Sequence, residues 1–149
     1  MKKILSILIA LVTFAWVADA QISIKKSEFE KPKQVATLQQ YWAWIYQADE
    51  SYYLVMKSDN QFDDSFWLKI GTTREECEES VKSLLELCGT ITDTDRFDID
   101  NGAGETFDVT QYKAMGLKGL RFHGKGHSGG AYILPANLNK ALKWIGKNL

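Results

Sequence analysis

Two stretches of the chain repeat one spacing of apolar residues, and this repeat limits the possible fold more than any other feature. Apolar positions separated by four, three and four residues lie on one face of an α-helix. The first set is Cys77, Val81, Leu84 and Cys88, and the second is Leu138, Leu142, Ile145 and Leu149. The sequence therefore predicts two amphipathic helices, one in the middle of the chain and one at its end.

The first predicted helix has a start signal and a stop signal. Thr72 and Glu75 have the spacing of a capping box, whose hydroxyl and carboxylate accept hydrogen bonds from the first free amides. Gly89 is typical of a helix end. Along such a helix Cys77 and Cys88 are about 16 Å apart, beyond the ~7 Å that a disulfide spans. We expect both to be buried free thiols.

Short β-rich segments precede each predicted helix. They cover residues 41–47, 52–58 and 65–71 in the first half, and residues 106–112, 118–125 and 130–134 in the second. Residues 90–104 are acidic and predict a loop or a short strand with a turn. The order is thus a βββα-βββα pseudo-repeat. We predict an α+β fold, a two-layer sandwich in which an antiparallel sheet carries both helices on one face.

The N-terminus has the features of a cleavable secretory signal peptide. Lys2 and Lys3 precede an apolar run, and Ala18-Asp19-Ala20 is a small-x-small cleavage site. The run, Ile4 to Val17, is shorter than the ~20 residues that a bilayer span needs. The protein is therefore expected to be exported, and to be soluble in the periplasm or outside the cell without a membrane span.

Three regions follow from these patterns. Residues 1–20 are the expected signal peptide, and residues 21–40 are a loosely ordered lead-in or an edge strand. Residues 41–149 are expected to form a single α+β domain, since most domains have about 100 to 150 residues.

The formal net charge of −1 conceals a separation of charges along the chain. Residues 21–71 carry six bases and seven acids, residues 72–110 three bases and eleven acids, and residues 111–149 seven bases and no acid. Attraction between an acidic first helix and a basic second helix would account for much of this pattern. The near-neutral sum argues against a nucleic-acid partner, because phosphate binding needs a broad positive field.

Residues 126–130 read Gly-His-Ser-Gly-Gly, which resembles two serine motifs of hydrolases. One is the G-x-S-x-G nucleophile elbow, and the other is the G-D-S-G-G of chymotrypsin-like proteases. An elbow needs a helix after its serine, whereas a strand is predicted after Ser128. A chymotrypsin-like order needs an Asp between the His and the Ser, and none follows His123 or His127. A secreted serine hydrolase using Ser128 with His123 or His127 remains an alternative function.

Two groups of side chains are candidates for binding. Alternation puts Arg121, His123 and Lys125 on one strand face, and His127 continues the row, which suits an anionic ligand or an ordinary solvated face. The aromatic candidates are Trp42, Trp44, Tyr46 and Trp67, the first three on one face of a strand. If other residues leave them uncovered, they suit a protein, peptide or glycan.

Metal and cofactor sites are not predicted. A metal site at His123 and His127 would need a third ligand, and the sequence does not place one beside them. The acidic segment 93–105 has the composition of a calcium loop, but the EF-hand spacing from Asp98 puts Ala103 and Val109 where Gly and Glu are needed. We expect this segment to be a solvated loop.

The sequence favours a small exported binding protein without catalytic activity over an enzyme. It would act in the manner of periplasmic inhibitors or immunity-type proteins, and dock a macromolecular partner through an aromatic and basic sheet face. A structural component of the cell envelope is a further alternative.

Overall fold

The computed structural model describes residues 31–149, which fold into two halves of four strands and one helix each. The first half contains β1 (Lys33–Gln39), β2 (Ala43–Ala48), β3 (Ser51–Met56), β4 (Phe66–Gly71) and α1 (Arg74–Thr90). The second contains β5 (Phe97–Asp100), β6 (Thr106–Ala114), β7 (Leu117–His123), β8 (Gly130–Ile133) and α2 (Pro135–Asn148). The predicted α+β class and repeat-like order are confirmed, with four strands in each half rather than three.

The two additional strands lie in segments for which the sequence analysis gave a strand as one of two alternatives. β1 is an edge strand inside the predicted lead-in, and it pairs with β2 through two register shifts of the kind that bulges produce. β5 lies in the acidic segment and pairs with β6. The predicted signal peptide, residues 1–20, and residues 21–30 of the lead-in lie outside the described residues.

The strands form two antiparallel sheets rather than one. Their orders are β1-β2-β3-β4 and β5-β6-β7-β8, so each strand pairs with its neighbour in sequence. Two backbone hydrogen bonds join the sheets: the Asp59 amide donates to the Gly130 carbonyl at 2.8 Å, and the Lys69 amide to the Asn101 carbonyl at 2.9 Å. Residues after β3 and within β4 thus connect the first sheet to the second.

The start of α1 differs from the prediction by one residue. Thr73 is the N-cap, and its hydroxyl accepts a hydrogen bond from the Glu76 amide while the Glu76 carboxylate accepts from the Thr73 amide. The Thr72 amide also donates to this carboxylate, at 2.8 Å. The capping box is therefore Thr73–Glu76, and the helix continues through Gly89.

The buried stripe of α1 is confirmed, and both of its cysteines are free. Desolvation in the core raises the pKa of the Cys77 and Cys88 thiols to about 11. At neutral pH both are therefore protonated apolar side chains, which suits a packing role.

One hydrophobic core includes the inner sides of both sheets and of both helices. In the first sheet the inner side presents Ala43, Ile45, Leu54, Met56, Phe66 and Leu68, and in the second Phe107, Val109, Leu120, Phe122, Ala131 and Ile133. Phe66 and Phe107, 5.3 Å apart between ring centroids, join the two sets. Alternation along the strands places the intervening residues on the opposite, outer side.

The two helices contact each other, but no ion pair joins them in the described part of the chain. Glu78 of α1 pairs with Arg74 and Lys82 of the same helix. On α2, Lys140 donates to the Leu38 carbonyl at 3.1 Å. The acidic surface of α1 and the basic surface of α2 therefore both face outward. Within residues 31–149, neither helix has the length and apolar character needed to cross a bilayer.

Candidate functional site

Aromatic side chains cover the outer side of the first sheet. Trp44 and Trp67 flank Val55 across the β2-β3-β4 register, and Tyr46 lies opposite Tyr53. The Trp67 ring centroid is 5.1 Å from that of Tyr46 and 5.8 Å from that of Tyr53. The four rings leave Val55 only 2% exposed although it points away from the core, while the rings themselves remain partly exposed.

Trp42 extends this surface to the second sheet. It precedes β2 and lies opposite Lys57, whose ammonium is 5.9 Å from the centre of the Trp42 ring. The Trp42 centroid is also 5.8 Å from that of Tyr132, and Tyr132 stacks on Tyr112 at 4.4 Å. The outer sides of the two sheets are therefore continuous through Trp42.

We call the first-sheet part of this surface the aromatic face. Its members are Trp42, Trp44, Tyr46, Tyr53 and Trp67. The four aromatic residues predicted from the sequence are thus brought together with Tyr53, which was missed. Alternation along β3 puts Tyr53 and Val55 on one side, but only the register with β2 shows that this is the side of Trp44.

The basic row is only partly assembled. Arg121 and His123 lie on the outer side of β7, opposite Thr110 and Asp108 of β6. The Arg121 guanidinium pairs with the Asp59 carboxylate, and His123 Nε2 is 3.5 Å from the Thr110 hydroxyl. Sequence alternation had extended this row through Lys125, whereas β7 ends at His123.

The last two residues of the predicted row lie in the loop after β7. Lys125 is exposed, and the His127 ring packs against inner-side Phe66 at 4.2 Å between centroids. The His127 Nδ1 atom is buried without a hydrogen-bond partner in the described residues. The His127 side chain therefore packs within the loop, and it is separated from the Arg121 and His123 side chains on the outer side of β7.

The surroundings of His123 have mixed charge. An open pocket of about 460 Å³ is lined by Asp98, Thr106, Asp108, His123, Gly124 and Lys125. Arg96 pairs with Asp108 at 3.4 Å. Because Asp98 and Asp108 lie beside His123 and Lys125, the described lining of the pocket does not give the broad positive field that an anion needs.

Carboxylates of the acidic segment, residues 93–105, form hydrogen bonds and an ion pair with other residues of the same chain. Asp95 accepts from the Thr92 amide and hydroxyl, each at 2.8 Å, and these bonds lower the pKa of Asp95. Asp100 accepts from the Gly102 amide at 2.7 Å, and Asp93 pairs with Lys113. Among residues 31–149 no group of three or more His, Cys, Asp or Glu side chains is placed to hold a metal ion.

Ser128 lies where the β7–β8 loop meets the equivalent β3–β4 loop of the first half. Its hydroxyl donates to Asp63 Oδ1 at 3.1 Å and accepts from the Asn60 side-chain amide. In the described residues neither His123 nor His127 is among its hydrogen-bond partners. A strand, β8, follows the motif where an elbow would need a helix.

Backbone amides of the glycine pair complete this loop junction, which comprises residues 58–63 and 128–130. The Gly129 amide donates to Asp63 at 2.7 Å, and the Gly130 amide to Asp59 at 2.9 Å. The Gly129 bond is the main cause of the lowered pKa of Asp63, with the Ser128 and Ser58 hydroxyls contributing. Asp63 is thus held ionised, which makes it a weak general base for Ser128.

The chain matches no family model, no curated protein and no solved structure.

Proposed function

We propose that this protein is a small exported binding protein without catalytic activity, which docks a macromolecular partner through its aromatic face. The observation that carries the proposal is the cluster of partly exposed rings on the outer side of the first sheet. Trp and Tyr are the residue types that most often dominate binding energy at protein interfaces.

The packing of the rings supports a binding role. Tyr46 and Tyr53 both contact Trp67, and the Tyr46 hydroxyl donates to the Gln34 side chain at 3.2 Å. Rings that already hold one another lose little freedom when a partner arrives, so more of the contact energy appears as affinity.

Bases at one border of the aromatic face support the choice of partner. Lys57 lies over Trp42, and Arg121, which is paired with Asp59, is nearby on the second sheet, beyond the Trp42–Tyr132 contact. An apolar centre with a polar and charged rim is the usual anatomy of a protein interface. A protein partner with an apolar patch and a carboxylate placed to meet Lys57 would fit this arrangement best.

No described contact favours the serine hydrolase alternative. The Ser128 hydroxyl is hydrogen-bonded to a carboxylate with a lowered pKa, and the glycine amides next to it already donate to Asp59 and Asp63. Those amides are therefore not free to stabilise an oxyanion.

The test of binding is capture followed by measurement with purified components. The purified protein, immobilised, is exposed to the exported proteins of its own host, and any retained partner is then purified and titrated against each variant. We expect Trp44→Ala and Trp67→Ala to weaken binding at least about tenfold. The matched control is Phe62→Ala, because Phe62 is 85% exposed in the β3–β4 loop and lies outside the aromatic face.

Unfolding curves of each variant show that the fold is retained. Equal binding by the wild type and both tryptophan variants would contradict the proposal, as would the absence of any captured partner.

Export has a separate test. Mass spectrometry of the protein from its host should give an N-terminus at Gln21, and Ala18→Leu together with Ala20→Leu should block cleavage, because signal peptidase sites need small residues. A protein that retains Met1 inside the cell would contradict this part of the proposal.

A further inference from the structure

The hairpin between β6 and β7 ends in an exposed apolar tip. Met115 is 100% exposed and Leu117 is 54% exposed. Met115 and Gly116 have positive φ angles of 51° and 80°, the conformation of a type I′ hairpin turn, which Asn or Gly usually supplies. A methionine in the left-handed region costs conformational energy, so its presence at the apex calls for an explanation.

Lysines flank this tip. Lys113 and Lys118 lie opposite each other on β6 and β7, just below the turn. Lys113 has one exposed ion pair, with Asp93 at 3.7 Å, and Lys118 has none with the described residues. We call residues 113–118 the hairpin tip. Its apex is apolar, and the two lysines just below the apex are positively charged.

An apolar pocket with an acidic rim lies elsewhere on the same molecule. Its volume is about 520 Å³, and it opens where α1 passes beside β4 and β5. The apolar wall is formed by Leu68, Ile70, Leu84, Leu87 and Ile99. Leu87 and Ile99 are partly exposed, whereas the other three are buried in the core. Glu76, Glu79 and Asp100 are at the rim, together with Lys69.

Glu79 is the acid of this rim that is best placed to attract a new base. Glu76 already accepts hydrogen bonds from Thr72 and Thr73, and Asp100 accepts from the Gly102 amide. Glu79 is exposed and has no ion pair with the described residues. Glu75 and Glu86 extend the acidic surface along α1, whereas Glu78 between them is paired with Arg74 and Lys82.

The hairpin tip and the pocket lie at opposite ends of β6. Thr106, at the start of β6, pairs with the rim residue Asp100, whereas the turn follows Ala114 at the other end. The eight steps between Thr106 and Ala114 span about 26 Å at about 3.3 Å per residue. The tip of one molecule therefore cannot enter its own pocket.

We propose that the hairpin tip docks into the acidic-rimmed pocket of a second copy of this chain. Met115 and Leu117 would contact Leu87 and Ile99, the partly exposed residues of the apolar wall, and Lys118 would approach Glu79. The hairpin tip and Glu79 are exposed, Leu87 and Ile99 are partly exposed, and Lys118 and Glu79 are opposite in charge, so these groups can meet without rearrangement of the core. We place the contact in a head-to-tail arrangement, in which each molecule uses its tip on one neighbour and its pocket on another.

The contact is small, so the association should be weak and should depend on concentration and salt. Sedimentation velocity of the purified protein between about 0.01 and about 1 mM should show species larger than a monomer that decrease as salt is raised. The inference does not rest on the proposed function, since it uses neither Trp44 nor Trp67. A Trp67→Ala variant should associate as the wild type does.

Two variants at exposed positions each disrupt one of the two contacting surfaces. Met115→Asp puts a charge at the apex, and Ser83→Arg puts a base at the mouth of the pocket, where it would repel Lys118. Each should lower the association constant at least about tenfold. Phe62→Asp is the matched control, because it adds the same charge at another exposed apolar side chain and should leave association unchanged.

Mixing the two variants gives the decisive result. Met115→Asp keeps an intact pocket and Ser83→Arg keeps an intact tip, so a one-to-one mixture should form a dimer and nothing larger. A wild type that stays monomeric at about 1 mM would overturn the proposal. So would association of Met115→Asp equal to that of the wild type, or a mixture that remains monomeric.

Discussion

The two sheets share a topology and an apolar inner side, but their outer sides differ. In the first sheet the outer side is a set of contacting rings around Val55. In the second it is mainly polar, with Asp108, Thr110 and Arg121 beside a stacked tyrosine pair. Burial requires both inner sides to be apolar, whereas nothing in the fold requires the outer sides to be alike. This difference is the basis of the proposal that the aromatic face binds a partner.

The largest effects should come from the inner sides, where the sheets are alike. Ile45 of the first sheet and Phe122 of the second are both fully buried. Ile45→Ala should lower the free energy of unfolding by about 2–5 kcal/mol and Phe122→Ala by about 3–5 kcal/mol, because each leaves a cavity in the shared core. Urea unfolding measures both, and a loss below about 1 kcal/mol for either would mean that its sheet is not part of that core.

A glycine of β7 gives the next largest effect. A Cβ added at Gly119 would collide with the Ile133 carbonyl oxygen of β8. Gly119→Ala should therefore destabilise the protein by about 1–3 kcal/mol, since backbone atoms of two paired strands must separate. Gly89 in α1 is the control because no described residue lies within 4 Å of a Cβ added there, and Gly89→Ala should stabilise the protein by about 0.5–1 kcal/mol. Thermal unfolding curves that move the same way for both variants would contradict this packing of β7 against β8.

The ion pair of the second sheet's outer side should contribute little. Arg121 and Asp59 have side chains 37% and 39% exposed, so water screens their attraction. Arg121→Ala should change the free energy of unfolding by about 1 kcal/mol or less. A larger loss of unfolding free energy, measured in urea at moderate salt, would show that the polar outer side stabilises the fold as strongly as the inner side does.

The loop junction should give the smallest effect, and only at low pH. Its hydrogen bonds hold the pKa of Asp63 below the ordinary value, so the ionised carboxylate favours the folded state. That contribution is full above the ordinary Asp pKa of about 3.9 and is lost as the pH falls through the lower folded value. Wild type and Asp63→Asn should therefore differ in melting temperature near neutral pH and converge in acid. A difference that persists unchanged to about pH 2 would contradict the sign of this pKa shift.

The sequence was sufficient for features that depend on near neighbours. The stripe from Cys77 to Cys88 is local, and so is the common side of Trp42, Trp44 and Tyr46. The start of α1 shows the limit of such patterns. Thr72 and Thr73 each have a Glu three residues later, and only the fold shows that Thr73 is the cap.

Features that depend on long-range pairing could not be predicted. The stacking of Tyr112 on Tyr132 requires the order β6-β7-β8, and the bonds of Asp59 and Asp63 to the glycine pair join residues 66 or more positions apart. The division into two sheets also depends on long-range pairing, because α1 separates β4 from β5 in sequence and the local pattern does not show whether these strands pair. Alternation also gave no sign that β7 ends at His123, so Lys125 and His127 were assigned to its outer row.

The most direct test of the aromatic face is fluorine NMR of the protein labelled with 5-fluorotryptophan, titrated with the partner captured above. Trp44 and Trp67 lie on the aromatic face, whereas Trp144 on α2 contacts Tyr52 and serves as an internal control. We predict that the resonances of Trp44 and Trp67 shift or broaden on binding while that of Trp144 does not. A shift of Trp144 with no change at Trp44 and Trp67 would contradict the account.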